Sequence, residues 1–180
     1  IKIFAIFNRR FYKNIIKVRK ILFKDFDSLY LEINEKVKKA IKIHSKKIIG
    51  NIRFHLTSHW LDTLIWISGN SKFKVNNFED YSILTNKKKN IFVQINYKNN
   101  NAGIRLEACQ DKKKIKFDTY EKLVIFENKK VKKFYEDNGF KPGLLNVVKQ
   151  IKNFNKINNN SFSRPGGLVP LYYILNKLKV

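Results

Sequence analysis

Cysteine, methionine, proline and acidic residues are all scarce in this 180-residue chain. Cys109 is the single cysteine, so no intrachain disulfide can form and a reducing compartment fits. Of the seven glycines, none falls in a Gly-x-Gly-x-x-Gly pattern. Gly166-Gly167 is not followed by Lys-Ser/Thr, so no phosphate loop of the nucleotide type is legible. Long apolar runs are also missing. Ile3–Phe7 and Leu168–Leu175 are too short to span a membrane, and the second contains Pro170.

The charge is one-sided: 38 Lys and Arg stand against 14 Asp and Glu, a net +24. A folded domain with that excess repels itself unless a polyanion neutralises it, and RNA is the commonest such partner. Apolar residues at 43% and aromatics at 14% are enough for most of the chain to fold. Residues with A/T-rich codons dominate: Lys, Ile, Asn, Phe and Tyr abound, while Ala stands only at positions 5, 40, 102 and 108. Codon bias of this kind inflates lysine, but it does not remove acids so selectively. It also suits an organelle gene, as does Ile1 in place of Met. The interleaved basic and apolar residues of Ile1–Lys20 fit either a transit peptide or a basic arm lying on RNA.

Along the chain, Val18–Phe23 reads as a strand leading to Asp27, a good helix N-cap. Tyr30, Ile33, Val37, Ala40, Ile41 and His44 then recur at helical spacing, predicting an amphipathic helix over about Ser28–Lys46 with a lysine-rich outer face. Ile52, Phe54 and Leu56 alternate as a strand would. Leu61–Ile67 is an apolar stretch, and Ser68-Gly69-Asn70-Ser71 a turn. Tyr81–Leu84 and Ile91–Ile95 read as one interrupted strand, Gly103–Ala108 as another, and Ile115–Phe117 and Lys122–Phe126 as ribbon arms. Lys129–Glu136 suggests a short helix, Leu144–Phe154 a longer one, and Asn153–Asn160 a low-complexity linker before a final segment from Leu168 to Val180.

Residues that could carry chemistry are few. His55, His59 and Asp62 have a spacing that could bind a metal on a helix, but the stretch reads as strand and loop and lacks the intervening Glu of the metalloprotease motif. A His contacting phosphate or solvent is the simpler account. His44 belongs to an apolar stripe, and Cys109 has no neighbouring His to activate it. Lys132-Lys133-Phe134-Tyr135-Glu136-Asp137-Asn138-Gly139-Phe140 resembles the aromatic-Glu-x-x-Gly-Phe stretch of GNAT acetyltransferases, although a helix C-cap at Gly139 explains the same letters. Trp60, Trp66, Phe54, Phe73 and Tyr81 interleave with Arg53, Lys72, Lys74, Lys87, Lys88 and Lys89. Aromatic faces can stack on bases while the cations pair with phosphates.

The order of residues from Ile21 to Glu107 resembles the small-subunit ribosomal protein S-ten (NusE) family. Phe23-Lys24-Asp25-Phe26-Asp27 matches its strand-to-helix junction, and Ile48-Ile49-Gly50-Asn51-Ile52 with Thr57 its post-helix turn. Thr63-Leu64-Ile65 and Ser68-Gly69-Asn70 match its climbing strand and loop tip. Tyr81–Lys88 with Ile91–Ile95 follows its descending strand, and Ala102-Gly103-Ile104-Arg105-Leu106-Glu107 its closing strand. The family's prolines are replaced by Asn51, Arg53 and His55, and its second helix has only Asn96–Asn101 available.

The resemblance implies an α+β fold, a small ferredoxin-like α/β sandwich with a long β-hairpin at about 52–95. It divides the chain into a basic arm (1–17), an S-ten-like domain (18–108) and a C-terminal extension (109–180). It further implies a structural constituent of a mitochondrial ribosome rather than an enzyme. Its partners would be small-subunit rRNA and neighbouring head proteins, with no cofactor, metal, membrane or small-molecule substrate. The RNA contacts expected are Arg53, His55, Lys72, Lys74, Lys87, Lys88, Lys89, Arg9 and Arg10. A GNAT-like acetyltransferase and a subunit of another organellar RNA–protein particle are the alternatives.

Overall fold

Residues 8–23, 25–35, 55–69, 72–98, 103–118, 122–136 and 169–178, with Leu145 and Val148, are described by the computed structural model of the chain. Strand periodicity dominates them. In β1 (Ser28–Asn34), Leu29, Leu31 and Ile33 are buried while Tyr30, Glu32 and Asn34 turn to the other face, as a pleated strand requires. The same alternation runs through β3 (Tyr81–Asn86), β4 (Ile91–Asn96), β5 (Gly103–Gln110) and β7 (Lys122–Glu127). With β2 (Lys74–Asn77), β6 (Lys113–Asp118) and β8 (Lys130–Glu136), they make one eight-stranded sheet in the order β2-β3-β4-β1-β5-β6-β7-β8. Only β1 and β4 pair in parallel; every other neighbour is antiparallel.

The register places Leu84, Val93, Leu31, Leu106, Phe117 and Leu123 side by side across six strands, and all six are buried. Onto this face pack α1 (Lys13–Leu22), α2 (His55–Ser68) and α3 (Val169–Lys177). They contribute Ile15, Val18 and Leu22, then Trp60, Leu61, Leu64 and Ile67, then Leu171 and Ile174. Each such side chain contributes roughly 1.5–3 kcal/mol by leaving water. None of α1, α2 and α3 packs on the opposite face. One register row there reads Ile83, Gln94, Glu32, Arg105, Asp118, Lys122, Glu136. From Glu32 on, the charges alternate in sign, which is the favourable cross-strand arrangement.

This architecture corrects the expected ferredoxin-like sandwich. The segment assigned to a long hairpin begins with α2, a 14-residue helix. Its C-terminus is closed by Gly69 at φ 66, whose N–H reaches the Ile65 carbonyl at 2.9 Å, a left-handed cap. The helix expected from Ser28 starts instead as strand β1, because pairing with both β4 and β5 satisfies its backbone on two sides. Residues 36–54, including His44 and Arg53, lie outside the described residues. Val18–Phe23 is not a strand but belongs largely to α1, where Ile15, Val18 and Leu22 share one face. Lys129–Glu136 is not a helix. Asn128 and Lys129 both have positive φ (51° and 64°), forming the tight turn that returns the chain as β8. The acetyltransferase-like stretch therefore starts inside a strand, and 137–140 are not described. Leu144–Phe154 falls largely outside the described residues. Strand β5 runs across position 108, and β6–β8 continue the same sheet beyond it.

Candidate functional site

Helix α2 contains no Lys or Arg, in a chain that has 38 of them. Its only carboxylate, Asp62, is buried against the cations of the short turn Asn8–Phe11. Arg10 donates to Asp62 through both Nε (2.6 Å to Oδ2) and Nη2. The two side chains are only 11% and 4% exposed, so this forked pair holds two desolvated charges against each other. Around it the arginines lie on tryptophan faces. Arg9 sits 5.0 Å from the Trp60 ring centre, Arg10 5.9 Å and Arg19 4.5 Å from that of Trp66. Arg19 Nε also donates to the Trp66 carbonyl at 3.2 Å. Burial, and then the like charge of Arg10, lower the Arg19 pKa from its ordinary value.

The start of α2 is fixed from the sheet. Glu35, 3% exposed, follows β1 directly. Its backbone N–H donates to the Asn96 carbonyl at the end of β4 (2.9 Å), and its carboxylate accepts from the Thr57 N–H. An anion thus occupies the first turn of the helix, where the peptide dipoles favour it. Thr63 Oγ1 donates to the His59 carbonyl at 2.8 Å. His59 is half-buried and lies three residues before Asp62, on the adjoining helix surface. The ends of β1 and β4 thus fix the first turn of α2 through Glu35, and further along the same helix the Arg9–Arg10 turn engages Asp62. Between these two anchor points His59 is the side chain able to accept or donate a proton.

The residues singled out from sequence divide into groups. Lys72, Lys74, Lys87, Lys88 and Lys89 come together at one end of the sheet. Lys74 lies opposite Thr85, and the Lys72 carbonyl accepts from Asn86 Nδ2 at 2.6 Å. Lys87–Lys89 form the β3–β4 turn, capped by Asn86 Oδ1 on the Lys89 N–H at 3.0 Å. Arg9 and Arg10 are elsewhere, in the helical layer. His55 and His59 both belong to α2 rather than to a strand, and both oxygens of Asp62 are engaged by Arg10. No group of three metal-ligating side chains occurs among the described residues. Sequence reasoning missed Glu35 and the Arg10–Asp62 pair. The usable signal was the absence of lysine and arginine from α2.

No family model and no curated protein sequence matches the chain. Solved structures do. A dehydrogenase (MviM) from Clostridium difficile superposes with a TM-score of 0.66 at 12% identity, over 95% of this chain and 59% of that one. UDP-N-acetylglucosamine 3-dehydrogenase GnnA from Acidithiobacillus ferrooxidans gives 0.69 at 10%, over 96% and 58%. A super-repressor mutant of Gal80p from Saccharomyces cerevisiae gives 0.65 at 14%, over 87% and 54%. The likeness is one of fold, and the chain spans less than three fifths of each of these proteins.

That likeness overturns the S-ten resemblance and what was drawn from it. The expected structural ribosomal role, the rRNA partnership, the exclusion of a small-molecule substrate and the non-enzymatic class are corrected with it, because the fold is one that dehydrogenases use. The S-ten matches were short, and Thr63-Leu64-Ile65, matched to a climbing strand, lies inside α2.

Dehydrogenases imply a nicotinamide dinucleotide, whose pyrophosphate rests on a glycine-rich strand-turn-helix with free N–H groups at the helix start. The described residues do not fit it. The first turn of α2 already holds the Glu35 carboxylate. Six of the seven strand pairings are antiparallel, and no glycine-rich turn joins a strand to a helix among the described residues.

Proposed function

We propose that this chain is the substrate-facing, non-nucleotide part of an oxidoreductase-like protein acting on a hydroxyl-bearing small molecule of the carbohydrate kind. The observation that carries the proposal is the superposition of nearly the whole chain on just over half of several dehydrogenase chains. The dinucleotide would be held by a portion with no counterpart in the described residues. The carbohydrate class is suggested by the sugar-nucleotide dehydrogenase among the neighbours.

In this reading His59 takes the proton of the substrate hydroxyl. A neutral imidazole carries a nitrogen lone pair that accepts a proton and suits general-base work. Half-burial keeps it reachable, and the Arg10–Asp62 pair stiffens the helix that carries it. Gal80p shows that the fold also occurs in a repressor. Sugar binding without turnover is therefore the second reading.

The test is a titration of the chain with N-acetylglucosamine, followed by the imidazole resonances in a proton–nitrogen NMR spectrum. His59→Gln assigns the signal. A saturable shift of the His59 resonance, with His44 and His55 unmoved, supports the proposal. Unchanged imidazoles at all sugar concentrations would overturn the substrate class and the role of His59.

A further inference from the structure

The sheet face opposite α1–α3 holds a second feature, separate from the Arg10–Asp62 pair. A cavity of about 470 Å³ lies over β5–β7, lined by Arg105, Lys112, Lys113, Lys114, Lys116 and Lys129 with Glu107 and Asp111, above Cys109 and Phe126. Six cations face two carboxylates there, a local charge of +4. Its size is that of a small-molecule site.

The groove is built rather than accidental. Glu107, only 16% exposed, ties its rim together: Lys114 Nζ approaches Oε2 at 2.8 Å, while Arg105 donates to Oε1 through Nε (2.9 Å) and Nη2 (2.5 Å). One Lys114 proton is thereby used, and an ammonium has three. Two turns close one end. Asp111 has positive φ (49°), and its N–H is held by Asp27 Oδ2 at 2.7 Å. Lys129, at φ 64°, occupies the turn position where Gly is usual. The Asn128 N–H donates to the Lys112 carbonyl at 3.2 Å, joining the two turns, and Lys112 and Lys129 from them both line the groove.

We infer that this groove binds a small organic diphosphate, its phosphates between Lys112, Lys114 and Lys129 and its organic part over the Phe126 ring. Phosphates suit the lysines because an ammonium serves them as a point charge without demanding one geometry. The half-buried Phe126 ring offers an apolar surface that inorganic ions do not use. A second copy of the chain is a poor occupant, since it would set +4 against +4.

Isothermal titration in low-salt buffer decides the matter, with inorganic pyrophosphate, uridine diphosphate, sulfate and a short oligoglutamate as probes. Uridine diphosphate is expected to bind tightest and pyrophosphate next, with sulfate at equal ionic strength more than tenfold weaker. The double variant Lys112→Gln/Lys129→Asn keeps the turn, because Asn tolerates positive φ, and is expected to weaken both diphosphates at least tenfold. A control pair, Lys87→Gln/Lys88→Gln, removes the same charge from another turn and is expected to change binding less than twofold. Equal losses in the two variants, or sulfate matching pyrophosphate, would reduce the groove to diffuse charge. Oligoglutamate binding more tightly than either diphosphate would make the partner an acidic peptide and overturn the inference.

Discussion

The sheet has two faces made by the same strands, and they are held by different physics. Under α1 and α2, Leu31 lies between Val93 and Leu106 in a row of buried side chains that crosses six strands. One residue along, Glu32 lies between Gln94 and Arg105 on the face opposite α1–α3. The covered face is close-packed and intolerant of lost volume. The open face is a ladder of polar and charged positions, where each pair adds little. Within this helical side sits Arg10–Asp62, a charge pair placed where charges cost most. Among the described residues, most of the buried apolar packing therefore lies on one side of the sheet.

The largest expected effect tests that charge pair. Asp62→Ala strands the Arg10 guanidinium in a nearly dry site and should cost about 3–5 kcal/mol in urea unfolding. Replacing both partners (Arg10→Met/Asp62→Leu) should recover most of it. A loss below 1 kcal/mol in the single variant would show that water reaches the pair and that the two faces are less distinct than described.

Next comes Leu31→Ala. At the centre of the buried row it should cost about 2–5 kcal/mol through lost burial and a cavity, whereas Glu32→Gln beside it should stay within about 0.5 kcal/mol. Similar losses for the two would remove the contrast between the faces.

The smallest effect is electrostatic. Hydrogen bonding by Lys114 holds Glu107 below its ordinary value of 4.5. The stability from this pairing is therefore fully present above pH 4.5 and is lost as pH falls through the lowered value. The same contact raises Lys114 above 10.5, so that contribution is present below pH 10.5 and is lost as pH rises through the raised value. Glu107→Gln should flatten the acid limb of a stability–pH curve by about 0.5–1 kcal/mol. An unchanged acid limb would show that Glu107 is not paired in solution.

Much of the second half of the sheet was legible in the sequence. Gly103–Ala108, Ile115–Phe117 and Lys122–Phe126 alternate cleanly, and turn residues separate them, so local pattern and final structure agree. β1 was not legible, because Tyr30, Ile33 and Val37 fit a helical stripe as well as Leu29, Leu31 and Ile33 fit a strand. Only its pairing with β4 and β5, about 60 and 75 residues away in the chain, decides between them. Of the strand expected from Ile52, Phe54 and Leu56, only Leu56 is among the described residues, and it lies in α2. Most of the candidate site was hidden for the same reason. Arg10 and Asp62 are 52 residues apart, and an arginine beside another arginine looks like a phosphate contact until its carboxylate is found. Net charge misled as well: lysine-rich turns and strand edges account for much of it without an RNA.

On the proposed function, this chain faces a substrate and the dinucleotide is held outside its described residues. The most direct measurement is the fluorescence of NADH titrated with the chain, with excess inorganic pyrophosphate present to fill the lysine groove. The account predicts no saturable change in emission across the titration. A saturable enhancement that persists under pyrophosphate would place a nicotinamide site within the chain and contradict it.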